Sequence, residues 1–560
     1  MENKPIAKTL RLLSQLMELH GENPFKFKSI ANSALKVDKL PFPISKKSLT
    51  EIEQIDGIGK STASKIWELI NNNPIKELQS LLSQTPEGIV EILQIKGIGP
   101  KKVAVIWKDL CIMNIGELYY ACNENRLIEA KGFGLKTQDE FIRIIEFTMA
   151  SSGRYLYARV ENYAEGLLKN LINLFKTSYL HFTGDYRRKC EIIDGLNILC
   201  GLNLTPNIIN DLQTAGLNLI SQGQNHVTAK NDEGIVVHFD FCTEDEFGWQ
   251  LIEKTGNREH VQNLKNRIAN VQLNGKTEND IYTLAGLQFI EPELRENTNE
   301  IDLAASNALP ALLNFQDLKG SLHNHSNWSD GINSIEEMAL FCQHNLKLQY
   351  FGICDHSKSA FYASGLNEIR VEAQHREIDD LNKKLSPFRI FKGIESDILY
   401  DGSLDYSDDI LDTFDFVVAS VHSIFKMTEQ KATDRLIKAI ENPFTTILGH
   451  PTGRMLLTRS GYPIDHKKVI DACASSNVII EINANPLRLD LDWRWHRYAI
   501  EKGVLLSVNP DAHRITGLMD MRYGVFVARK GGVSADNCLN AMNLKDITKY
   551  LTNKKQSIRT

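Results

Sequence analysis

Apolar and polar positions follow different rhythms along the chain. Residues 1–150 read as short helices joined by glycine hairpins. Residues 151–310 are mixed. A helical pattern over Arg154–Lys176 precedes strand-like runs at Tyr179–Phe182, Leu196–Cys200 and Ile235–Cys242, which predicts a small sheet backed by helices. Asn299–Phe315, containing Pro310, reads as a connector. From Leu318 onward, helical stretches alternate with short apolar runs: Tyr350–Cys354, Arg389–Ile394, Phe416–Val421, Thr446–Leu448, Val478–Ile482 and Leu505–Val508. Repeated βα units of this length predict a parallel, barrel-like α/β domain, whose ligands belong at the C-terminal ends of its strands.

Composition narrows the class. The 560 residues suggest three to five domains, and 42% hydrophobic with 24% charged residues is ordinary for a globular chain. No run of about 18 apolar residues appears, so no membrane span is expected. The start, MENKPIAKTLRLLSQLMELH, does not read as a secretory signal. Nine cysteines are scattered without a CxxC pair, which predicts a reducing cytoplasm and no cysteine-held zinc. The net charge of −6 means that any grip on nucleic acid is local. Residues 1–50 supply such an excess, with nine Lys/Arg against four Asp/Glu.

Three turns in the first 150 residues share a pattern: Ile55-Asp56-Gly57-Ile58-Gly59-Lys60, Ile95-Lys96-Gly97-Ile98-Gly99-Pro100 and Ala130-Lys131-Gly132-Phe133-Gly134-Leu135. The first two are followed by helical stretches, Ser61–Ile70 and Lys101–Leu110. Paired glycines leave amide N–H groups uncovered while the apolar residue between them anchors the turn, and a helix starting there offers its positive end to phosphate. This is the helix-hairpin-helix pattern for sequence-independent binding of a nucleic-acid backbone. Gly57, Gly59, Lys60, Gly97, Gly99, Lys101 and Lys102 are its candidate DNA contacts, with a monovalent cation as a further candidate at the turns.

Ten of the fifteen histidines lie in residues 321–560, which directs the search for chemistry there. His323, His325, Asp330, His356, Glu395, His422, His450, Asp511 and His513 all fall just past the predicted strands. Any one alone is a polar residue with an ordinary partner, but nine at one rim would leave large unpaired charge unless cations held them together. Nitrogen and oxygen donors without thiolate suit Mn²⁺, Zn²⁺ or Fe²⁺. A multinuclear site of this kind predicts phosphoester hydrolysis, in which cations make water nucleophilic and neutralise the phosphoryl group. Arg454 and Arg459 are read either as phosphate clamps or as structural ion pairs.

These segments resemble bacterial family X DNA polymerases that carry a C-terminal polymerase-and-histidinol-phosphatase (PHP) domain. The likeness runs from LHGENPF (19–25) through YTLAGLQFIEPELRE (282–296) to LHNHSNWSDG, ICDHSKS, GIESDIL, VASVHS, GHPTGR and NPDAH. The resemblance implies a multidomain α+β and α/β chain. Its parts are a helix-hairpin-helix lyase-like domain (1–78), a fingers-like one (79–150), a nucleotidyltransferase-like palm (151–248), a thumb with linker (249–315) and a distorted (βα)₇ PHP barrel (316–560). It further implies that the nine ligands hold three metals, Mn²⁺ or Zn²⁺, and that manganese-favoured 3′–5′ exonuclease and related 3′-end cleaning reside in the barrel. Lys65 falls where related polymerases keep a Schiff-base lysine. The alternatives for it are a solvated helix lysine or a phosphate contact.

The palm departs from the family pattern. The segment expected as Gly-Ser then Arg-Arg reads Gly184-Asp185-Tyr186-Arg187-Arg188, and the two metal-binding aspartates fall on Gly195 and Asn197. The third falls on His238, and the expected aromatic pair before Thr-Gly-Ser is Glu253-Lys254. Two-metal nucleotidyl transfer needs carboxylates around a pair of Mg²⁺ ions about 4 Å apart. Glycine supplies no ligand and histidine disfavours hard Mg²⁺. Mg²⁺ is therefore not expected at the palm, and templated synthesis is expected to be lost.

The resulting expectation is a cytoplasmic, monomeric DNA-repair enzyme acting on gapped, nicked or 3′-ended DNA through the PHP site. A gap-filling polymerase, a small-molecule phosphatase and a non-catalytic DNA-binding scaffold stand as alternatives.

Overall fold

The computed structural model describes residues 3–559 except 96, 129, 131, 151–152 and 269–270. Lys96 and Lys131 of the glycine turns lie outside the described residues. The chain divides into two compact units, Met1–Ile145 and Glu146–Thr560. Among the described residues no helix is long and apolar enough to cross a membrane.

The first unit is helical. Gly57, Gly97 and Gly132 adopt φ of +84°, +97° and +88°, a region that glycine enters without a Cβ penalty. Ile58 and Ile98 are buried, so the first two turns are pinned by their central residues. The turns open the helices Lys60–Ile70 and Pro100–Ala104, the latter continuing as a π-turn over Val105–Asp109. The third turn also opens a helix, Leu135–Ala150, which the sequence reading did not assign to it.

Among its described residues the second unit holds two large sheets and a two-stranded antiparallel pair, Tyr155–Leu156 with Ile192–Ile193. One has five strands, β1 (Leu180–Thr183), β2 (Leu196–Cys200), β3 (Asn218–Gln222), β4 (His226–Lys230) and β5 (Val236–Phe241), in the order β1-β2-β5-β4-β3. Only β2 and β5 pair in parallel. β3 and β4 form a hairpin that the sequence reading omitted. The connector expected over Asn299–Phe315 contains a helix, Glu300–Ala305. Its Glu300 reaches back to accept from the Asn297 and Thr298 amides and lies 2.6 Å from His260 Nδ1.

The other sheet has seven parallel strands: β6 (Gly320–Ser321), β7 (Tyr350–Ile353), β8 (Arg389–Asp397), β9 (Phe416–Ser420), β10 (Ile447–Leu448), β11 (Ile479–Asn483) and β12 (Leu506–Asn509). Its ends nearly close into a barrel, because the His325 amide donates to Ala512 O at 2.9 Å and the Asp511 amide to His323 O at 3.1 Å. β7, β9, β11 and β12 are buried throughout, as expected of parallel strands covered on both faces. Ile547 and Leu551 of the last helix, Leu544–Arg559, join Phe391, Phe416, Val418, Ile447 and Ile479 in one apolar cluster. Phe416, Ile447 and Ile479 begin their strands, so this helix plugs the end opposite the strand C-termini. Glu395 lies within β8 rather than after it, since β8 runs on to Asp397. β6 stops two residues before His323, so the His323–His325 pair sits on the chain leaving the strand.

Candidate metal centre

Local backbone geometry brings the ligands together. β7, β8 and β9 end at one rim and deliver His356, Glu395 and His422 to it. His450 and Asp511 leave β10 and β12 with φ of +22° and +53°. Left-handed backbone at non-glycine residues is strained, and such strain collects at functional sites.

Eight of the nine side chains fall into three overlapping groups whose donor atoms lie within 4.8 Å of one another. These are His325, Asp330, His356 and His513; His323, His325 and Asp511; and His356, Glu395 and His422. His450 stands outside the groups, but its Nε2 is 3.0 Å from Glu395 Oε1. Glu395 is the hub: its Oε1 is 3.1 Å from His422 Nε2 and 3.3 Å from His323 Nε2, and its Oε2 is 3.0 Å from His356 Nδ1. Across the site, His325 Nε2 is 3.1 Å from Asp511 Oδ1, and His513 Nε2 and His356 Nε2 lie 3.3 and 3.4 Å from Asp330.

These distances are short, yet many of the atoms make no directed hydrogen bond. His323 Nε2, both nitrogens of His325 and of His356, and Glu395 Oε2 are buried without a hydrogen-bond partner. Buried polar atoms in this state are costly unless something else binds them, and a divalent cation with N/O ligation fits that donor set.

The imidazoles and carboxyls of the cluster perturb one another strongly. Burial opposes ionisation of Glu395 and Asp511, but His422 and His323 beside Glu395, and His323 and His325 beside Asp511, hold both carboxyls well below the usual range. Burial likewise opposes charge on His323 and His356, while the surrounding carboxylates raise both well above the ordinary imidazole value. His325 is pushed down to about 3 by burial and by His513 and His356, so its lone pairs are available.

Several buried residues that the sequence reading missed orient these ligands. His323 Nδ1 is 2.7 Å from Glu481 Oε1, which directs Nε2 toward Glu395, and Glu481 Oε2 accepts from the His450 amide at 2.9 Å. His422 Nδ1 is 2.5 Å from Asp397, which also accepts from Ser359 Oγ. Asp355 accepts from Ser326, Ser329 and Gln374 and so fixes the loop that carries Asp330. Such partners set the tautomer and direction of a ligating imidazole.

The two arginines behave as anchors of the loop after β10. Arg454 donates to Asp492 at 2.5 Å, to Arg488 O at 2.9 Å and to Leu489 O, which is the ion-pair reading of that residue. Arg459 donates to Gly453 O at 2.8 Å and lies over the Phe425 ring at 4.3 Å.

In the helical unit a Cβ on Gly59 or Gly99 would meet nothing within 4 Å, so the backbone there faces open space. Lys60 and Lys101 are exposed beside it, and Lys102 reaches over the Phe141 ring at 5.2 Å. Lys65 is 3.4 Å from Glu77 and 3.3 Å from Ser61 Oγ, so its amine is engaged.

Among the described residues the five-stranded sheet holds no comparable carboxylate set. Asn197 pairs in register with Thr183 and His238. Gly195 has φ +142°, and a Cβ there would come within 2.8 Å of Val236 O. The acids nearby are occupied: Asp185 by Arg188, Asp240 by His226 and by Lys254 at 3.0 Å, and the exposed Asp194 by Arg154 at 3.5 Å. Arg187 is bound by Glu278 and Thr255, and Arg188 by Glu296 and Thr255 O.

A helix-hairpin-helix domain model matches residues 1–75. The "DNA polymerase/3'-5' exonuclease PolX" of Bacillus subtilis (strain 168) is 34% identical over 577 aligned positions, covering 98% of this chain and 99% of that protein. A "Probable phosphatase" of Thermoanaerobacter sp. (strain X514) is 31% identical over 188 positions, 32% of this chain and 74% of its own length. Another, from Acetivibrio thermocellus, is 30% identical over 156 positions, 27% of this chain and 58% of its own length.

Proposed function

The chain belongs to the PolX family of DNA polymerase/3′-5′ exonucleases, and from that premise we propose that it hydrolyses phosphodiesters at DNA 3′ ends in its barrel and no longer polymerises. The observation that carries this reading is the contrast between the two sheets. One rim gathers eight N/O ligands into three contiguous groups, while the family's three palm carboxylate positions hold Gly195, Asn197 and His238.

The barrel residues would hold three divalent cations, Mn²⁺ or Zn²⁺, with His325 and His356 each shared between two groups. Cations bound there supply water that is nucleophilic near neutral pH and neutralise phosphoryl charge. No side chain is the nucleophile in this reading. Water adds to phosphorus, the P–O3′ bond breaks, and the departing 3′ oxygen takes up a proton. The glycine turns at Gly57–Lys60 and Gly97–Lys102 hold the DNA backbone through amides and lysines, without reading sequence. The family, the end-directed chemistry and the hairpins together support a role in DNA repair.

Loss of synthesis is argued from backbone as well as side chains. An aspartate at 195 would have to occupy a left-handed conformation against Val236 O. Lys65, bound to Glu77, is not assigned lyase chemistry, because a nucleophilic amine would first have to leave that carboxylate.

Purified protein with Mn²⁺ should shorten 3′-ended single strands and gapped duplexes labelled at the 5′ end, and His325→Ala should not. Equal shortening by both proteins would overturn the assignment. Preference for a small phosphorylated metabolite over DNA would favour the phosphatase alternative.

A further inference from the structure

Six of the seven barrel strands lead into a candidate ligand: β6 into His323 and His325, β7 into His356, β9 into His422, β10 into His450, and β12 into Asp511 and His513, while β8 contains Glu395. β11 supplies none. It contributes Glu481, which braces His323 and His450, and the loop that follows it contributes Arg488.

Arg488 is 3% exposed and lies at the depth of the ligands. Its Nε is 3.8 Å from Asp511 Oδ2. The guanidinium therefore sits beside a ligand that follows β12, on the loop after the strand that delivers none.

Its backbone is held firmly. The Arg488 amide donates to Asn485 O at 2.8 Å, and its carbonyl accepts from Arg454 Nε at 2.9 Å. Two residues on, Asp490 accepts from the Thr452 amide and hydroxyl at 2.8 and 2.9 Å. Arg454 thus acts on the loop that carries Arg488. Arg459, on the loop after β10, faces Gly453 O and Phe425, and the buried Arg435, in the helix Glu429–Ile440, faces the carbonyls of Ile398, Leu399 and Ser423.

We propose that Arg488 grips a non-bridging oxygen of the phosphate under attack, and then of the nucleoside 5′-monophosphate released. A planar guanidinium matches two phosphate oxygens, stays charged at any working pH and transfers no proton, which suits it to hold the group while water adds and the 3′ oxygen leaves. The competing role is a counter-ion that only neutralises Asp511. This inference rests on the phosphodiesterase reading above.

The test uses full-length, Mn²⁺-loaded protein and the variants Arg488→Met and Arg488→Lys. Bound metal is counted by elemental analysis, and affinity for thymidine 5′-monophosphate and for inorganic phosphate is measured by calorimetry alongside DNA hydrolysis. Arg488→Met should keep its metal, bind both anions about 10–100-fold more weakly and lose a similar factor in kcat/KM, the effect of one charge-assisted hydrogen-bonding pair. Arg488→Lys should keep its metal and recover only part of the affinity. Unchanged anion affinity in Arg488→Met, or loss of metal in both variants, would overturn the proposal and leave Arg488 a counter-ion. Wild-type protein that holds metal but cleaves no DNA would overturn the phosphodiesterase reading itself.

Discussion

Glu481 fixes two ligands at once, through the His323 ring and the His450 amide, and it is fully buried. Removing its charge while keeping its shape should loosen the imidazole without unfolding the barrel. Glu481→Gln is expected to weaken Mn²⁺ affinity or activity by about 10–100-fold with near-native thermal stability, measured by metal titration and melting. A second residue gives a pH signature away from the ligands. Burial raises the Asp520 carboxyl to about 7, against the opposing pull of Arg522 and Arg514. A folded-state pKa above the unfolded one means that ionisation destabilises the fold: the penalty is absent below about pH 4, grows as pH rises and is complete above about pH 7. Asp520→Asn should therefore be stabilising by about 1–2 kcal/mol at pH 8, after discount for its partial exposure, and nearly neutral at pH 4. Melting curves at the two pH values check the sign. The candidate ligands stand out in the sequence because most of them follow or end an apolar run. Glu481 and Arg488 do not, because their roles depend on contacts far along the chain, 158 residues in the case of His323 and Glu481.

At the scale of elements, legibility followed burial. The barrel strands announce themselves as short apolar runs because both faces are covered, and β2 spans the run seen in the sequence. β3, Asn218–Gln222, is an edge strand whose residues are mostly exposed, so no apolar pattern marks it. The helix Glu300–Ala305 is only six residues long and was hidden inside a proline-containing linker. β8 runs past its apolar stretch because Glu395 and Asp397, a polar boundary by residue type, are buried within the strand. The last helix offers an element-level test. Leu551→Ala would open the plug beneath the strands and should cost about 2–5 kcal/mol, read from denaturant unfolding of the metal-loaded protein. Metal content of the folded fraction should stay near wild type, since the ligands sit at the opposite end of the barrel.

In the proposed function of the whole molecule, DNA holding falls to the helical unit and hydrolysis to the barrel, with the five-stranded sheet as scaffold. The missing palm carboxylates were legible from the family pattern. What the pattern did not disclose is that the scaffold has closed over the vacancy: Gly195 has taken a backbone conformation that rejects an aspartate, and Arg187 and Arg188 are bound by Glu278 and Glu296. Reinstating the acids as Gly195→Asp, Asn197→Asp and His238→Asp together should therefore lower stability and still give no dNTP incorporation on a gapped template. Incorporation by that triple variant would contradict the argument from the backbone at Gly195.

The most direct test locates the cations. Anomalous scattering at the manganese edge, from crystals of the full chain soaked in Mn²⁺, should show peaks among His323, His325, His356, Glu395 and Asp511 and none beside Asn197. A manganese pair lodged between Asn197 and His238 with the barrel rim empty would contradict the account.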